Sequence, residues 1–247
     1  MKPVASYADR LPTGVRSRMV ANNNGLDMHV LEAGFEERGR PALLLLHGFP
    51  ELAFSWRKVI PRLAAEGYHV IAPDQRGYGL TTGWDPDYDG DLDQYRMSNL
   101  VQDALGLVNA FGYDSVEAVI GHDFGSPVAA LSGLIRPDVF KAVVMMSSPF
   151  GGPPALPLNS AGMISEVPAA SALSSTAIHE DLANLVRPRK HYQWYYSTPP
   201  ANDDMWKCPQ GVHDFMRAYY HHKSADWVDN RPFPLEGWIA SELARMP

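Results

Sequence analysis

Short apolar runs alternate with amphipathic stretches along this chain, and that alternation predicts strands and helices in turn. Residues 15–20 alternate and read as a strand. Asn22-Asn23-Asn24-Gly25 is a dense turn signal, and residues 26–31 supply the second arm of a hairpin. Residues 41–46 form a continuous apolar run, the pattern of a strand covered on both faces. Residues 55–66 carry Trp56, Val59, Ile60 and Leu63 at helical spacing, and Gly67 stops them. Residues 69–72 make another strand, followed by a polar, glycine-rich turn over 73–79. Ser98 is a good cap for a helix over 99–111, which gathers Leu100, Val101, Ala104, Leu107, Val108 and Phe111 on one face. Residues 116–120 are a short β-branched strand with a helix starting at once behind it. That helix ends near Arg136, where Pro137 blocks continuation. Residues 140–146 read as one more continuous, buried strand.

Strands alternating with helices at this spacing predict an α/β fold with a mostly parallel sheet covered by helices on both faces. In such sheets ligand sites form at the carboxyl ends of the strands. Residues 47–51, 74–79, 123 and 147–150 all sit at such ends. After Phe150 the pattern changes. Residues 151–157 are rich in Gly and Pro and read as a linker, and residues 158–234 hold helical stretches with many aromatics and no strand between them. The expected division is a core over 1–150, a helical lid or cap over 151–234, and a helix over 235–247 returning to the core.

Composition narrows the function classes. At 247 residues the chain can bury a full hydrophobic core. Its formal net charge is −7 with no basic tract, which argues against nucleic acid as a partner. Cys208 is the single cysteine, so no internal disulfide is expected. The first ten residues lack the apolar core of a signal peptide, and runs such as 42–46 are far too short to cross a bilayer, so a cytoplasmic protein with no membrane partner is the expectation. His221 and His222 are adjacent, so on a helix they do not face one ligand together; neither a metal nor a cofactor is expected.

The chemistry centres on Gly121-His122-Asp123-Phe124-Gly125. A strand running straight into a helix forces a tight turn, small residues belong on either side of its tip, and the central residue takes strained backbone geometry. This is the layout of a nucleophile elbow with Asp123 at the tip. A carboxylate there can attack an electrophilic carbon and form an ester. An Asp that merely caps a helix is the plainer alternative. Pro127 fits the first helical turn, where a missing N–H costs nothing.

His47-Gly48-Phe49-Pro50, Asp74-Gln75-Arg76-Gly77-Tyr78-Gly79 and the elbow, in that order, resemble the α/β-hydrolase fold family, and within it the epoxide hydrolase branch. The resemblance covers the chain from about residue 15 onward. It implies that Asp123 is the nucleophile and that the Phe49 and Phe124 N–H groups form an oxyanion hole, with a cis Phe49–Pro50 bond. His191-Tyr192-Gln193-Trp194 resembles the lid segment around the family's first ring-opening tyrosine, which puts that role on Tyr192. Ala218-Tyr219-Tyr220-His221-His222 resembles the segment of the second, and its spacing to Trp227 favours Tyr220, with Tyr219, Tyr195 and Tyr196 still open. A phenol near pKa 10 can hydrogen-bond the epoxide oxygen and donate a proton. His47, Pro50 and Trp194 are expected to contact substrate, although His47 and His122 also suit structural roles holding loops.

The family's general base and supporting acid follow its last two strands, and at matching positions this sequence shows neither; the last strands are expected to be absent from this chain. The implied function is hydrolysis of a small-molecule epoxide to a vicinal diol, with turnover by the chain as given in question and a homodimer left open. Two other readings stand beside it. A haloalkane or haloacid dehalogenase would share the Asp nucleophile, but Phe124 offers no side-chain donor to a halide and Pro127 no clamp for a carboxylate. A non-catalytic ligand-binding protein would explain the missing base and not the elbow.

Overall fold

The computed structural model describes residues 10–22, 24–152 and 175–246. The linker expected over 151–157 falls outside the described residues from 153 onward, as do the first part of the expected lid, 158–174, and Pro247. The chain divides into two compact units, Met1–Leu156 and Pro157–Pro247.

The first unit is built on a six-stranded sheet in the order β1-β2-β4-β3-β5-β6. β1 (Arg16–Asn22) and β2 (Leu26–Ala33) form an antiparallel hairpin, with Asn22 opposite Leu26 across the turn. β2 pairs antiparallel with β4 (His69–Pro73). From there the sheet is parallel: β4 with β3 (Ala42–Leu46), β3 with β5 (Ala118–His122), and β5 with β6 (Val143–Met146). The connections carry α1 (Ile60–Ala65), α2 (Met97–Ala110) and α3 (Gly125–Ile135).

Strand side chains alternate between faces, and the core follows that rule. Leu44 and Leu46 join Met28, Val30 and Ile71 in one layer, packed with Leu100, Ala104, Leu107 and Val108 of α2 and with Val128 and Ala129 of α3. Leu45 points the other way, with Leu31, Val70 and Ala72, onto Trp56 and Ile60. Each layer removes its apolar side chains from water, the main stabilising term of the fold.

Several elements depart from the expected pattern. The helix over 55–66 is two pieces, a 3₁₀ helix (Ala53–Lys58) and then α1. Pro61 has no N–H to give and is tolerated only in a first turn, so the chain restarts there. Val59 sits at the junction and is exposed, not on the buried face. α2 begins at Met97 with Arg96 as its cap, which puts Ser98 inside the first turn. β6 covers only Val143–Met146, and all four residues are exposed. It is the edge strand among the described residues and has β5 alone as a strand neighbour there. Phe140, expected in this strand, is instead buried beside it, in an isolated bridge to Val116.

The second unit holds α4 (Ser175–Ala183), α5 (Tyr192–Tyr195), α6 (Pro200–Trp206), α7 (Val212–His221) and α8 (Ala240–Leu243), with no strand among the described residues. Ile178 and Leu182 of α4 pack on Leu243 of α8, with Leu185, Trp194 and Leu235 against them. The helix expected over 235–247 is thus much shorter. Ile239 is extended as its cap, and Gly237 before it disfavours a longer helix.

Candidate active site

The turn after β5 is as tight as the sequence requires. Asp123 has φ +51°, a left-handed conformation that non-glycine residues rarely adopt. Three glycines make room for it. A Cβ at Gly121 would lie 2.1 Å from the Gly125 carbonyl oxygen, one at Gly125 would lie 2.3 Å from the Leu46 oxygen, and one at Gly48 would lie 2.3 Å from the Asp123 Cβ. The Asp123 N–H donates to the Met146 carbonyl at 2.9 Å, and the Ser126 N–H donates to the Asp123 carbonyl at 3.0 Å. Buried Ser126 pins the turn to β6: its Oγ lies 2.9 Å from both the Gly121 and Met146 oxygens and accepts from the Met146 N–H at 3.1 Å. Sequence reasoning missed Ser126, although a small hydroxyl residue just past an elbow is a signal.

The loop after β3 meets this turn. Its Phe49–Pro50 bond is cis. The Phe49 N–H donates to Asp123 Oδ1 at 2.9 Å. Phe124 follows Asp123 directly, caps α3 in helical geometry, and exposes its ring. Pro50 is half-buried. His47 is fully buried, and both ring nitrogens are taken by the protein. Nδ1 donates to the Gly48 carbonyl at 2.9 Å, Nε2 accepts from the Gln75 N–H at 3.0 Å, and Gln75 Nε2 donates to the His47 carbonyl at 2.5 Å. Burial pulls the His47 pKa down despite its bond to the Gly48 carbonyl and the charges of Asp74 and Glu51, so the ring is held neutral. In this arrangement His47 ties the Phe49 loop to the Asp74–Gly79 turn and has no nitrogen left for a ligand.

That second turn is anchored by Asp74, which is fully buried. It accepts from the Ala53 N–H at 2.9 Å and the Leu80 N–H at 3.1 Å, and pairs with His29 at 2.8 Å. Tyr78 stands on the turn with its ring edge-on to His47 at 4.9 Å. Burial, and then the charge of Asp123, push the Tyr78 phenol up to about 12. A further pair lies beside the elbow: His122 Nδ1 is 2.8 Å from Glu51 Oε2, and both side chains are partly buried. Glu51 was not singled out from sequence; an acid closing the His47-Gly48-Phe49-Pro50 run was the available signal.

In the second unit Tyr192 lies on α5, exposed, with its ring stacked on His191 at 5.0 Å and 5.9 Å from that of Tyr196. Tyr220 lies on α7, also exposed, edge-on to Tyr219 at 5.5 Å. Lys223 Nζ donates to Tyr219 Oη at 2.8 Å and stands 5.4 Å from the Tyr192 ring. Tyr192 and Tyr219 therefore share one ammonium. Burial, then Tyr219 and Tyr192, push the Tyr196 phenol up. The Tyr195 hydroxyl donates to Asp204. Trp194 is the centre of an aromatic cluster, 5.0 Å from His179, 4.9 Å from His191 and 5.8 Å from Trp238. Among the described residues no cluster of His, Cys, Asp and Glu could hold a metal ion, and no helix is long and apolar enough to cross a membrane.

Residues 41–243 match the family model described as alpha/beta hydrolase fold. The chain belongs to that family. Over 136 residues this α/β-hydrolase is 40% identical to Epoxide hydrolase A of Mycobacterium tuberculosis, a stretch that is 55% of this chain and 40% of that protein. It is 38% identical over 133 residues to Epoxide hydrolase B of the same organism, covering 54% of this chain and 36% of that one. The matched stretch thus spans less than half the length of these curated relatives. Among solved structures, an epoxide hydrolase from an endophytic Streptomyces is 31% identical with a TM-score of 0.64, over 87% of this chain and 55% of that one. Epoxide Hydrolase A from Mycobacterium thermoresistibile is 30% identical with a TM-score of 0.64, over 92% and 62%.

In chemical terms the α/β-hydrolase elbow holds one carboxylate oxygen on a backbone donor. A carboxylate so fixed can act as a nucleophile through its other oxygen, and the same donor can stabilise an oxyanion formed at that carbon.

Proposed function

We propose that this α/β-hydrolase opens epoxides. The second carboxylate oxygen of Asp123 attacks a ring carbon, the carbon–oxygen bond of the ring breaks, and an alkyl ester of Asp123 forms. Phenols of the helical unit, serving as a lid, give a proton to the departing ring oxygen: Tyr192 from α5 and one of Tyr219 or Tyr220 from α7. Release of a vicinal diol then requires a base, which takes a proton from water as that water attacks the ester carbonyl and hands it to the diol oxygen that leaves. Solvent reprotonates the tyrosine. Without such a base the ester stays on Asp123. The Phe49 and Phe124 N–H groups steady the oxyanion formed in this step. Losing one such donor typically costs about 10²–10³ in rate.

The observation that carries this reading is Asp123 itself, strained at φ +51° with Oδ1 on the Phe49 N–H. Strain of this kind costs on the order of 1–3 kcal/mol and persists where the surroundings over-determine it. A helix cap needs neither the strain nor the donor from a loop 74 residues away. The names of the relatives supply the class of electrophile.

The test is intact mass after incubation with styrene oxide. The expected result is a single adduct of one epoxide mass that maps by peptide digestion to Asp123 and is absent from Asp123→Asn. An adduct elsewhere, or the same adduct in Asp123→Asn, overturns the reading.

A further inference from the structure

Beside the Phe49 loop the first unit lines a half-open cavity of about 360 Å³. Its walls are mostly carbon, from Phe49, Trp84, Tyr95, Leu100 and Phe124, with Tyr78 among them. Two of these, Phe49 and Phe124, are the residue bonded to Asp123 Oδ1 and the residue following Asp123 in the chain. The cavity therefore opens beside the reactive carboxylate.

The side-chain donors around it are already engaged. Gln75 Nε2 is on the His47 carbonyl at 2.5 Å, and Arg76 reaches Asp103 through Nε at 2.8 Å and Nη2 at 2.7 Å. Trp84 Nε1 donates to the Thr81 carbonyl at 2.8 Å, and Tyr95 Oη stands 3.4 Å from the Asp85 carbonyl. The Tyr78 hydroxyl differs: it makes no hydrogen bond to a described residue, and its ring is fixed against His47. A phenol pushed up to about 12 keeps its proton at any physiological pH, so it is a standing donor. An alkyl group filling the cavity would strip water from that donor and return nothing, whereas an acceptor atom would restore the bond.

We propose that this cavity binds the apolar substituent of the substrate and that the Tyr78 hydroxyl donates to an ether or carbonyl oxygen carried on it. The size suits an aromatic ring with a short chain. The favoured class is then an aryl ether bearing the reactive group, a glycidyl ether rather than a plain alkyl or aryl epoxide. The word substrate rests on the epoxide reading above; the ligand site does not.

The probes are phenetole and propylbenzene, alike in shape and differing by one ether oxygen in place of a methylene. Their dissociation constants are measured by ligand-observed NMR on the full chain and on Tyr78→Phe. The full chain is expected to prefer phenetole by about five-fold, the size of one net hydrogen bond. Tyr78→Phe is expected to lose that preference by binding phenetole less well, with propylbenzene unchanged or slightly tighter. A preference that survives in Tyr78→Phe, or none in the full chain, overturns the role of the hydroxyl. Failure of both probes to bind overturns the cavity as a ligand site. Neither probe carries an epoxide, so these outcomes are separate from the fate of the Asp123 adduct.

Discussion

At Tyr219 the phenol oxygen accepts from the Lys223 ammonium at 2.8 Å, a bond that leaves the phenol its own proton. A phenol that has just donated its proton carries a negative charge, and an ammonium already in contact balances it. Tyr192, the other proposed donor, has the same ammonium 5.4 Å from its ring. Tyr220, favoured by its spacing to Trp227, is exposed on α7 and packs edge-on to Tyr219. Geometry inside the helical unit thus points to Tyr219, and the two tyrosines can be separated by rate. With styrene oxide in excess, Tyr219→Phe is expected to slow formation of the Asp123 adduct by about 10²-fold, the lower end for loss of general acid catalysis. Tyr220→Phe is expected to stay close to wild type. The reverse order, read from the mass time course, would return the role to Tyr220.

At the scale of elements, the strand–turn–helix unit around Asp123 is closed by backbone rather than by side chains. A Cβ at Gly125 would meet the Leu46 carbonyl oxygen at 2.3 Å, and a carbonyl inside a parallel sheet cannot swing aside. Gly125→Ala is therefore expected to destabilise by about 1–3 kcal/mol or more, as overpacking does. Gly151→Ala, where an added Cβ meets nothing within 4 Å, is expected to stay within about 0.5 kcal/mol of wild type. Urea midpoints for the pair check this, and equal midpoints would mean the turn is looser than drawn. The same unit shows what a sequence can reveal. β3 was legible because five apolar residues in a row leave little else to be, β5 because a short β-branched run leads straight into the turn, and the elbow because its glycines are forced. Pro61 broke a helix that periodicity alone would have run through. β6 reads as buried from its residues, yet burial depends on what lies next to a strand, and at an edge nothing in the run itself says so. The Glu51–His122 pair joins residues 71 apart and the Tyr78 cavity joins three loops, so neither leaves a local pattern. The Phe49–Asp123 contact spans a similar distance and was legible only through the family motif.

For the whole molecule, the charges that matter to stability are the few that the sheet buries. The two compact units adjoin in sequence at Leu156 and Pro157, and the deepest ionic cluster lies in the first. Glu32 on β2 is fully buried and touches Arg16 Nε at 2.7 Å, Arg18 Nε at 2.5 Å and His69 Nε2 at 2.7 Å. Burial pushes its carboxyl up, but His69, Arg16 and Arg18 together outweigh burial and hold it below the ordinary range. Asp74 is alike: burial raises it, and His29 with the Leu80 and Ala53 N–H groups brings it below its usual value. Free carboxyls titrate near 4.3 for Glu and 3.9 for Asp. The folded values lie lower, so below about pH 4 the unfolded chain binds more protons than the folded one, and stability falls with pH. The contribution is whole above that range and disappears as pH drops through the folded values. His47 acts in the same direction at higher pH, because its depressed value lets the unfolded chain take up a proton first as pH falls below about 6.5. Glu32→Gln keeps the shape and removes one acid-sensitive group. At pH 7 it is expected to destabilise by about 1–3 kcal/mol, since two arginines and a histidine lose their buried partner. The loss should be tempered because Arg16 and Arg18 keep side-chain exposures of 46% and 40% and can turn to water. Between about pH 5 and 2 the variant should lose less stability per pH unit than wild type, leaving the slope owed to Asp74. Urea midpoints across that range, taken side by side, decide it: parallel curves would assign the acid sensitivity to other carboxylates, and converging ones to Glu32.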